Sequence, residues 1–542
     1  MNIDDQLMHA LMQPGVLPDS AGGVELIETH VSWVLLAGEY AWKLKKPLDL
    51  GFLDFSTLER RRVACEDELR LNQRTLPEVY LAVVPVWRTA QGIRVAAAGE
   101  GAGADTAQAT LVDYLVRMRR FDQAGLFSNL LAAGQLEPTL FDRLARHVAD
   151  FHAAAAVAQP GGRFGGATAV HAPVQQNFDQ IRERVQDPAL LAELARVEAW
   201  ATAQFAALAS TFDARLAEGR VRECHGDMHL GNLVVLDGEA RLFDAIEFSA
   251  ELRWTDVIAD VAFLVMDLQA RGETALGGRF LNAWLERSGD YAGLRVLPYY
   301  LSYRAMVRAK IGAIRASQLE GEARAQCLDE CGRYLALAAA QMRAPAPALL
   351  IASGLSGAGK TSQSQPLLES HGVIRVRADV ERKRLFGLAP EARSGSGVDA
   401  GLYTAEASIR TYARLAELAR AVLEAGHAVL VDASFLKRAQ RQDFAALAEE
   451  LGVPFVILAF DAPLELLRER VRQRAQAGTD ASEADLAVLD SQCRTREALD
   501  AGELARTLHI DTRSAPDWQA LAAALSALWP AAGSSADPRP GG

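Results

Sequence analysis

Two short runs carry residues of the kind and spacing that phosphoryl transfer requires. The first is GLSGAGKT, Gly354–Thr361, which fits G-x-x-x-x-G-K-[ST] directly after the apolar run ALLIAS. Gly354, Gly357 and Gly359 allow a tight loop whose successive N–H groups point at phosphate oxygens. Lys360 is placed to reach the β- and γ-phosphates of ATP, and Thr361 to ligate Mg²⁺. The second run is HGDMHLGN, His225–Asn232, with a further aspartate in RLFDAIEF. Asn232 follows Asp227 by five positions and Asp244 follows Asn232 by twelve. In that order Asp227 orients and deprotonates an attacking hydroxyl, Asn232 binds Mg²⁺, and Asp244 bridges the metal to the phosphates. The span from Asn232 to Asp244 fits a β-hairpin that turns at Asp237-Gly238.

Each run needs supporting residues. For the second, a lysine on an upstream strand must hold the α/β-phosphates, and Lys43 in YAWKLKK fits. Lys45 has the same strand parity and is the alternative, while Lys46 faces the other way. A glutamate on the following helix must pair with that lysine. Glu68 is the first choice and Glu66 the second, and either is also compatible with a solvated helix face. His225 and His229 read as architectural, and Asp256 and Asp260 as structural residues opening a late helix. For the P-loop run, Asp379 ends the strand VIRVRAD, with Arg382 three positions on. Asp379 fits a proton acceptor for a substrate hydroxyl and Arg382 a partner for an anion; the alternative is a helix-capping aspartate and a solvent-facing arginine. Asp432, at the end of AVLVDAS, is a candidate for the Mg²⁺ site or the substrate. Arg470 and Arg474, one turn apart in LLRERVRQRAQ, fit a lid over transferred phosphate, or simply a solvated basic helix.

The elements that must position these residues follow from hydrophobic period. VELIETH, VSWVLLAG and EYAWKLKKP read as strands, then a helix near Leu58–Asn72, then VYLAVVPVWR, GIRVAAA and DYLVRMRRF as strands. From about Leu136 the pattern turns helical. After Pro347 the short apolar runs ALLIAS, VIRVRAD, AVLVDAS, FVILAF and TLHIDT alternate with helical segments, as βαβ units with a parallel sheet do. The expected organisation is a β-rich N-lobe over 1–115, a helical C-lobe over 116–343, a linker at 344–348, an α/β domain over 349–530 and a disordered tail over 531–542.

HGDMHLGN, supported by FDAIEF and WTDVIADVAFL, resembles the aminoglycoside phosphotransferase family over roughly residues 20–340. That resemblance implies an α+β, bilobal, protein-kinase-like fold. This chain lacks a G-x-G-x-x-G between its first two strands, and has Ala245 where glycine often follows the metal aspartate. Residues 347–528 resemble the small P-loop kinases: zeta toxins, polynucleotide 5′-hydroxyl kinases, gluconate kinases and chloramphenicol phosphotransferases. This second resemblance implies an α/β P-loop NTPase domain in which Asp379 activates the acceptor hydroxyl. It lacks an obvious sensor or arginine-finger region of a ring-forming AAA motor. The order of the halves resembles bacterial fused aminoglycoside phosphotransferase and ATP-binding proteins.

Composition bounds the rest. The chain has 542 residues, half of them apolar and 23% charged, with a formal net charge of −12. That balance excludes a wholesale nucleic-acid coat or membrane-surface protein. The five cysteines, Cys65, Cys224, Cys327, Cys331 and Cys493, form no CxxC pair and suggest reduced thiols. There is no basic-then-apolar leader and no apolar run long enough to span a bilayer, so a cytoplasmic location is expected. The expected function is ATP- and Mg²⁺-dependent phosphorylation of small-molecule hydroxyls at two sites. Nucleic acid or a nucleotide-sugar as acceptor of the P-loop half, a toxin-like activity, or an ATP-binding regulatory role are the alternatives. No membrane partner is expected.

Overall fold

The computed structural model describes residues 3–49, 53–95, 109–343, 346–395, 401–477 and 481–530. Contacts divide the chain into two compact units, residues 1–173 with 207–264, and residues 174–206 with 265–542.

The first unit is built on a six-stranded sheet of order β1-β2-β3-β6-β4-β5. Its strands are β1 (Glu25–Glu28), β2 (Ser32–Ala37), β3 (Tyr40–Lys45), β4 (Tyr80–Thr89), β5 (Gly92–Val95) and β6 (Thr110–Arg119). Every pairing in it is antiparallel. One face is covered by the helix Ile3–Leu11, whose Leu7, Met8 and Leu11 pack on Trp42, Leu44 and Leu115. The other face carries the helix Leu58–Asn72, capped by the Thr57 hydroxyl, with Cys65 and Leu69 against Tyr80 and Val116. Period-2 alternation in β3 therefore sends Trp42 and Leu44 to one core, and Lys43 and Lys45 toward the capped helix. The expected lobe boundary at 115/116 cuts β6, which runs on to Arg119; unbroken pairing with β3 and β4 keeps the strand in the sheet. Residues 96–98 of the expected fifth strand lie outside the described residues. Beyond the sheet, β7 (Val221–Glu223) pairs with β10 (Trp254–Asp256), and β8 (Leu233–Leu236) with β9 (Glu239–Leu242). Asp237 and Gly238 both take positive φ, 50° and 78°, as a two-residue hairpin turn demands.

The second unit contains five parallel strands in the order β12-β13-β11-β14-β15. They are β11 (Leu349–Ser353), β12 (Ile374–Arg377), β13 (Val429–Asp432), β14 (Phe455–Asp461) and β15 (Thr507–Asp511), matching the five apolar runs in sequence. Leu349–Ala352 and Val429–Val431 are completely buried, because helices cover both faces of a parallel sheet. The helices Thr274–Ser288, Leu297–Ala316 and Gly321–Ala340 group with this sheet, so the contact division falls at 264/265 and not at the expected linker. Residues 344–345 of that linker and the tail 531–542 lie outside the described residues. Among the described residues, no helix is long and apolar enough to cross a membrane.

Candidate active sites

In the first unit a chain of alternating charges joins the sheet, the Leu58–Asn72 helix and the segment after β9. Lys43 Nζ lies 2.6 Å from Asp244 Oδ1 and 2.8 Å from Glu68 Oε1. The other oxygen of Glu68 takes Lys45 Nζ at 2.7 Å, and Lys45 also pairs with Glu247. The sequence reading left Lys43 and Lys45 as alternatives. Both are used, since same-face neighbours on a strand lie close enough to share one carboxylate. Glu66 is an exposed partner of Arg62, and Glu68 is the glutamate of the pair that meets the lysines. Burial would push Lys43 down, but the carboxylates of Asp244, Glu68 and Glu247 outweigh it and hold the ammonium well above the usual lysine range. Burial likewise pushes Glu68 up, and Lys43 and Lys45 more than reverse it. Glu247, where burial dominates, is raised.

The His225–Asn232 loop is held largely by contacts to backbone atoms. Asn232 Nδ2 donates to the Asp227 carbonyl at 3.0 Å and to its carboxylate at 3.1 Å, so the amide oxygen is the atom left for a cation. Phe243 N donates to Asn232 O and Ile246 N to His225 O, which brings the Asp244 segment alongside. Asp244 itself sits at φ 61°, a left-handed conformation that costs an L residue about 1–2 kcal/mol. Its N–H donates to the Tyr80 hydroxyl, and Ala245 N to Asn72 Oδ1, two buried residues that pin the strained turn. Ala245 is thus accommodated where glycine is common.

Asp260 is a brace. Its two carboxylate oxygens accept the N–H groups of His225 and Gly226, at 3.0 and 2.9 Å, and His152 Nε2 lies 3.1 Å away. His152, Cys224 and Asp260 cluster closely enough to suggest a metal site. The peptide donors already engage both Asp260 oxygens, so the cluster serves the loop. His225 Nε2 sits 2.8 Å from the Phe243 carbonyl oxygen, and burial keeps its ring neutral by lowering its pKa. Asp256 is bonded to Arg215 on both oxygens. Asp256, Asp260 and His225 thus hold backbone and a buried arginine in place, while His229 accepts Gly231 N on Nδ1 at 3.0 Å and its Nε2 lies 3.4 Å from the Asp227 carboxylate.

In the second unit the P-loop joins β11 to the helix Lys360–Gln363. Gly357 shows why glycine is needed: φ is +82°, and a Cβ there would lie 2.7 Å from the Leu467 carbonyl oxygen. A Cβ on Gly354 would meet the Phe460 carbonyl oxygen at 2.6 Å, and Gly359 caps the helix at φ 77°. Lys360 Nζ donates to the carbonyls of Gly354 and Leu355, at 2.9 and 3.1 Å. Burial lowers its pKa, and Asp432 and Asp379 offset this only in part. Thr361 Oγ1, in the first turn of the helix Lys360–Gln363, donates at 2.5 Å to Asp432 Oδ2 at the end of β13, which brings two hard oxygen atoms together.

These groups line one cavity of about 970 Å³. Asp379 lies in the first turn of the helix Ala378–Leu385, two residues past the end of β12, where Arg377 holds the N-cap position. It faces the cavity and is bonded to Arg382 at 3.3 Å, which overturns the capping alternative. Burial raises its pKa, but Arg382, Arg377 and Ser482 outweigh this and keep the carboxylate ionised. Arg470 and Arg474 both line the cavity, on Thr512 O (2.5 Å) and Ala484 O (2.7 Å). Arg468 and Arg472, on the other face of that helix, make surface ion pairs. Sequence reasoning missed Glu247, Asn72, Tyr80 and Ser482. Glu247 alone carried a signal, as a glutamate three positions after Asp244.

Comparison with known proteins gives two successive matched segments, the first of which runs across the contact division at 264/265. Residues 65–297 match the model of the Phosphotransferase enzyme family, and residues 349–499 that of an AAA domain. An uncharacterised protein of Mycobacterium tuberculosis (strain H37Rv) is 29% identical over 459 residues, 85% of this chain and 88% of that protein. Among solved structures, a choline/ethanolamine kinase family protein from Mesorhizobium loti aligns with 63% of this chain and 99% of its own, at 12% identity and TM-score 0.38. A sugar kinase from Janibacter sp. aligns with 34% of this chain and 98% of its own, at 25% identity and TM-score 0.27.

Proposed function

From a chain that joins a phosphotransferase-family domain to a kinase-like P-loop domain, and is therefore an enzyme of the kinase class, we propose an ATP- and Mg²⁺-dependent phosphotransferase with two transfer sites, each acting on a hydroxyl of a small molecule. The carrying observation is the P-loop cavity, where a loop lysine, a Thr–Asp oxygen pair and an ionised carboxylate share one space. The acceptor oxygen forms a bond to the γ-phosphorus as the bond to the β,γ-bridging oxygen breaks, and ADP leaves. Asp379 orients the acceptor hydroxyl and takes its proton. A depressed pKa suits this role, because a loose transition state needs positioning first and strong basicity only late. Lys360 exchanges its two loop carbonyls for phosphate oxygens. Thr361 and Asp432 fit Mg²⁺, which when bound neutralises charge developing between the β- and γ-phosphates. Arg470 and Arg474 face the transferred group.

At the first site Asp227 plays the part of Asp379 and Lys43 that of Lys360. Asn232 and Asp244 offer the cation oxygens, and Glu68 keeps Lys43 in place. The test is incubation with ATP, Mg²⁺ and a cellular metabolite extract, with phosphorylated products read by mass spectrometry. A product lost only in Lys360→Ala or only in Asp227→Ala assigns that chemistry to one site. ATP consumed without any new product would count against small-molecule transfer.

A further inference from the structure

Strand β12 is an edge strand, paired on one side only, by β13. Its other edge is occupied by side chains from the helix Thr274–Ser288 and the turn after it. Asn282, 5% exposed, donates from Nδ2 to Val373 O at 3.0 Å and accepts Arg375 N at 2.7 Å. It completes the strand edge as a neighbouring backbone would. The buried Tyr291 hydroxyl donates to Arg375 O at 3.2 Å. Glu286 holds Arg377 at 2.9 Å and stands 4.0 Å from Arg375. Burial lowers the pKa of Arg375 and Glu286 opposes it, while the guanidinium donates to the Thr361 carbonyl at 2.8 Å. Further along the same helix, Arg279 pairs with Glu369 at 3.1 Å and lines the P-loop cavity. The approach is close, since a Cβ on Gly278 would lie 3.1 Å from the Leu368 carbonyl oxygen.

This helix belongs to the segment matched by the phosphotransferase family, not to the segment matched by the AAA domain. Among the described residues, eight arginine and lysine side chains line the cavity with two carboxylates, Asp379 and Asp432, and three glutamates outside the lining, Glu369, Glu286 and Glu497, pair with Arg279, Arg377 and Lys437. Magnesium-bound ATP carries about two negative charges, as three phosphates partly neutralised by one divalent cation, so cationic side chains remain on the β12 side. Arg382 is among them: its buried Nε has no hydrogen-bond partner, and its guanidinium stacks 4.9 Å from the Tyr403 ring.

We propose that the helix Thr274–Ser288 is a working wall of the P-loop site. Arg279 contacts an acceptor that carries a phosphate or a carboxylate, and Asn282 and Glu286 are positioning residues for Arg375 and Arg377. The inference rests on the kinase reading of this site and adds to it the acceptor's charge and the wall's origin. It also makes the P-loop half dependent on residues that precede it by more than the expected linker.

The experiment uses the full chain carrying Asp227→Ala, which silences the first site. Gluconate supplies a carboxylate acceptor, glucose 6-phosphate a phosphate acceptor, and glucose and sorbitol neutral ones. The expected result is Lys360-dependent transfer to one of the two anions, at a kcat/KM at least about tenfold above either neutral acceptor. Arg279→Ala should raise the acceptor KM about tenfold with the KM for ATP within twofold, and Arg279→Lys should recover most of the loss. Glu286→Gln should lower kcat through Arg377 while calorimetric binding of Mg-ATP stays intact. Equal use of neutral acceptors, no transfer to either anion, or an unchanged acceptor KM in Arg279→Ala would overturn the inference. Mg-ATP binding that is absent, or indifferent to Lys360→Ala, would instead overturn the kinase reading itself.

Discussion

Each candidate site holds one half-buried lysine, proposed above to bind phosphate, and the two are stabilised by opposite means. Lys43 is surrounded by side-chain carboxylates, and its pKa rises. Lys360 rests on two peptide carbonyls of its own loop, and burial lowers its pKa. The difference follows from the elements beneath. Lys43 sits on an antiparallel strand, and no G-x-G-x-x-G turn between β1 and β2 brings backbone N–H groups to phosphate beside it. It must be oriented by charges from other elements, here a helix and a hairpin more than 20 residues away in sequence. A glycine-rich loop places backbone N–H groups around the phosphate by itself, so its lysine needs no dedicated carboxylate. One site is assembled from distant side chains and the other is largely local.

Removing one proposed catalytic group from each site tests this contrast most directly. Lys360→Ala and Asp227→Ala should each lower one product by about 10³-fold and leave the other within twofold, measured by mass spectrometry. If either variant lowers both products, the sites are coupled and not separate. The next effect is on stability. Glu68→Ala leaves two buried lysines short of a shared partner and should cost about 3 kcal/mol in denaturant unfolding, whereas Lys360→Ala should cost far less. Equal losses would mean that the carboxylate network does not distinguish the two regions. Gly357→Ala should weaken nucleotide binding at the P-loop about tenfold, since the left-handed backbone and the nearby Leu467 carbonyl both disfavour a Cβ. Ala245→Gly at the first site should change nucleotide affinity less than twofold.

The smallest effect is on pH. A lysine with a lowered pKa loses its charge at lower pH than an ordinary lysine, and one with a raised pKa keeps it to higher pH. As pH rises, Mg-ATP affinity should therefore fall first at the P-loop, measured in Lys43→Ala, and later at the first site, measured in Lys360→Ala. A simultaneous fall would show that bound phosphate erases the difference in the free protein.

How much was legible in the chain divides along the same line. Period-2 alternation and five apolar runs located the strands, because burial on one face or both leaves a mark in every residue. The P-loop was readable whole, since its glycines, lysine and threonine act through the backbone that links them. Arg470 and Arg474 were separable from Arg468 and Arg472 by helical period alone. The use of both Lys43 and Lys45 was not readable. Strand parity placed them on one face, but the partner that engages the second, Glu247, lies about 200 residues away.

The chain alone carries the candidate reactive groups and the local elements that hold them: the His225–Asn232 loop, the hairpin after it, the P-loop and the order of the two matched segments. Those depend on spacing, turn residues and hydrophobic period, which act over a few residues. Only the tertiary structure decided that one glutamate serves two lysines, that Asp260 braces the loop through its peptide N–H groups, and that Asn282 closes the edge of β12. Each is a contact between elements far apart in the chain. Its cause is the need to satisfy buried charges and backbone groups with whatever the fold brings alongside, and no local pattern encodes that partner.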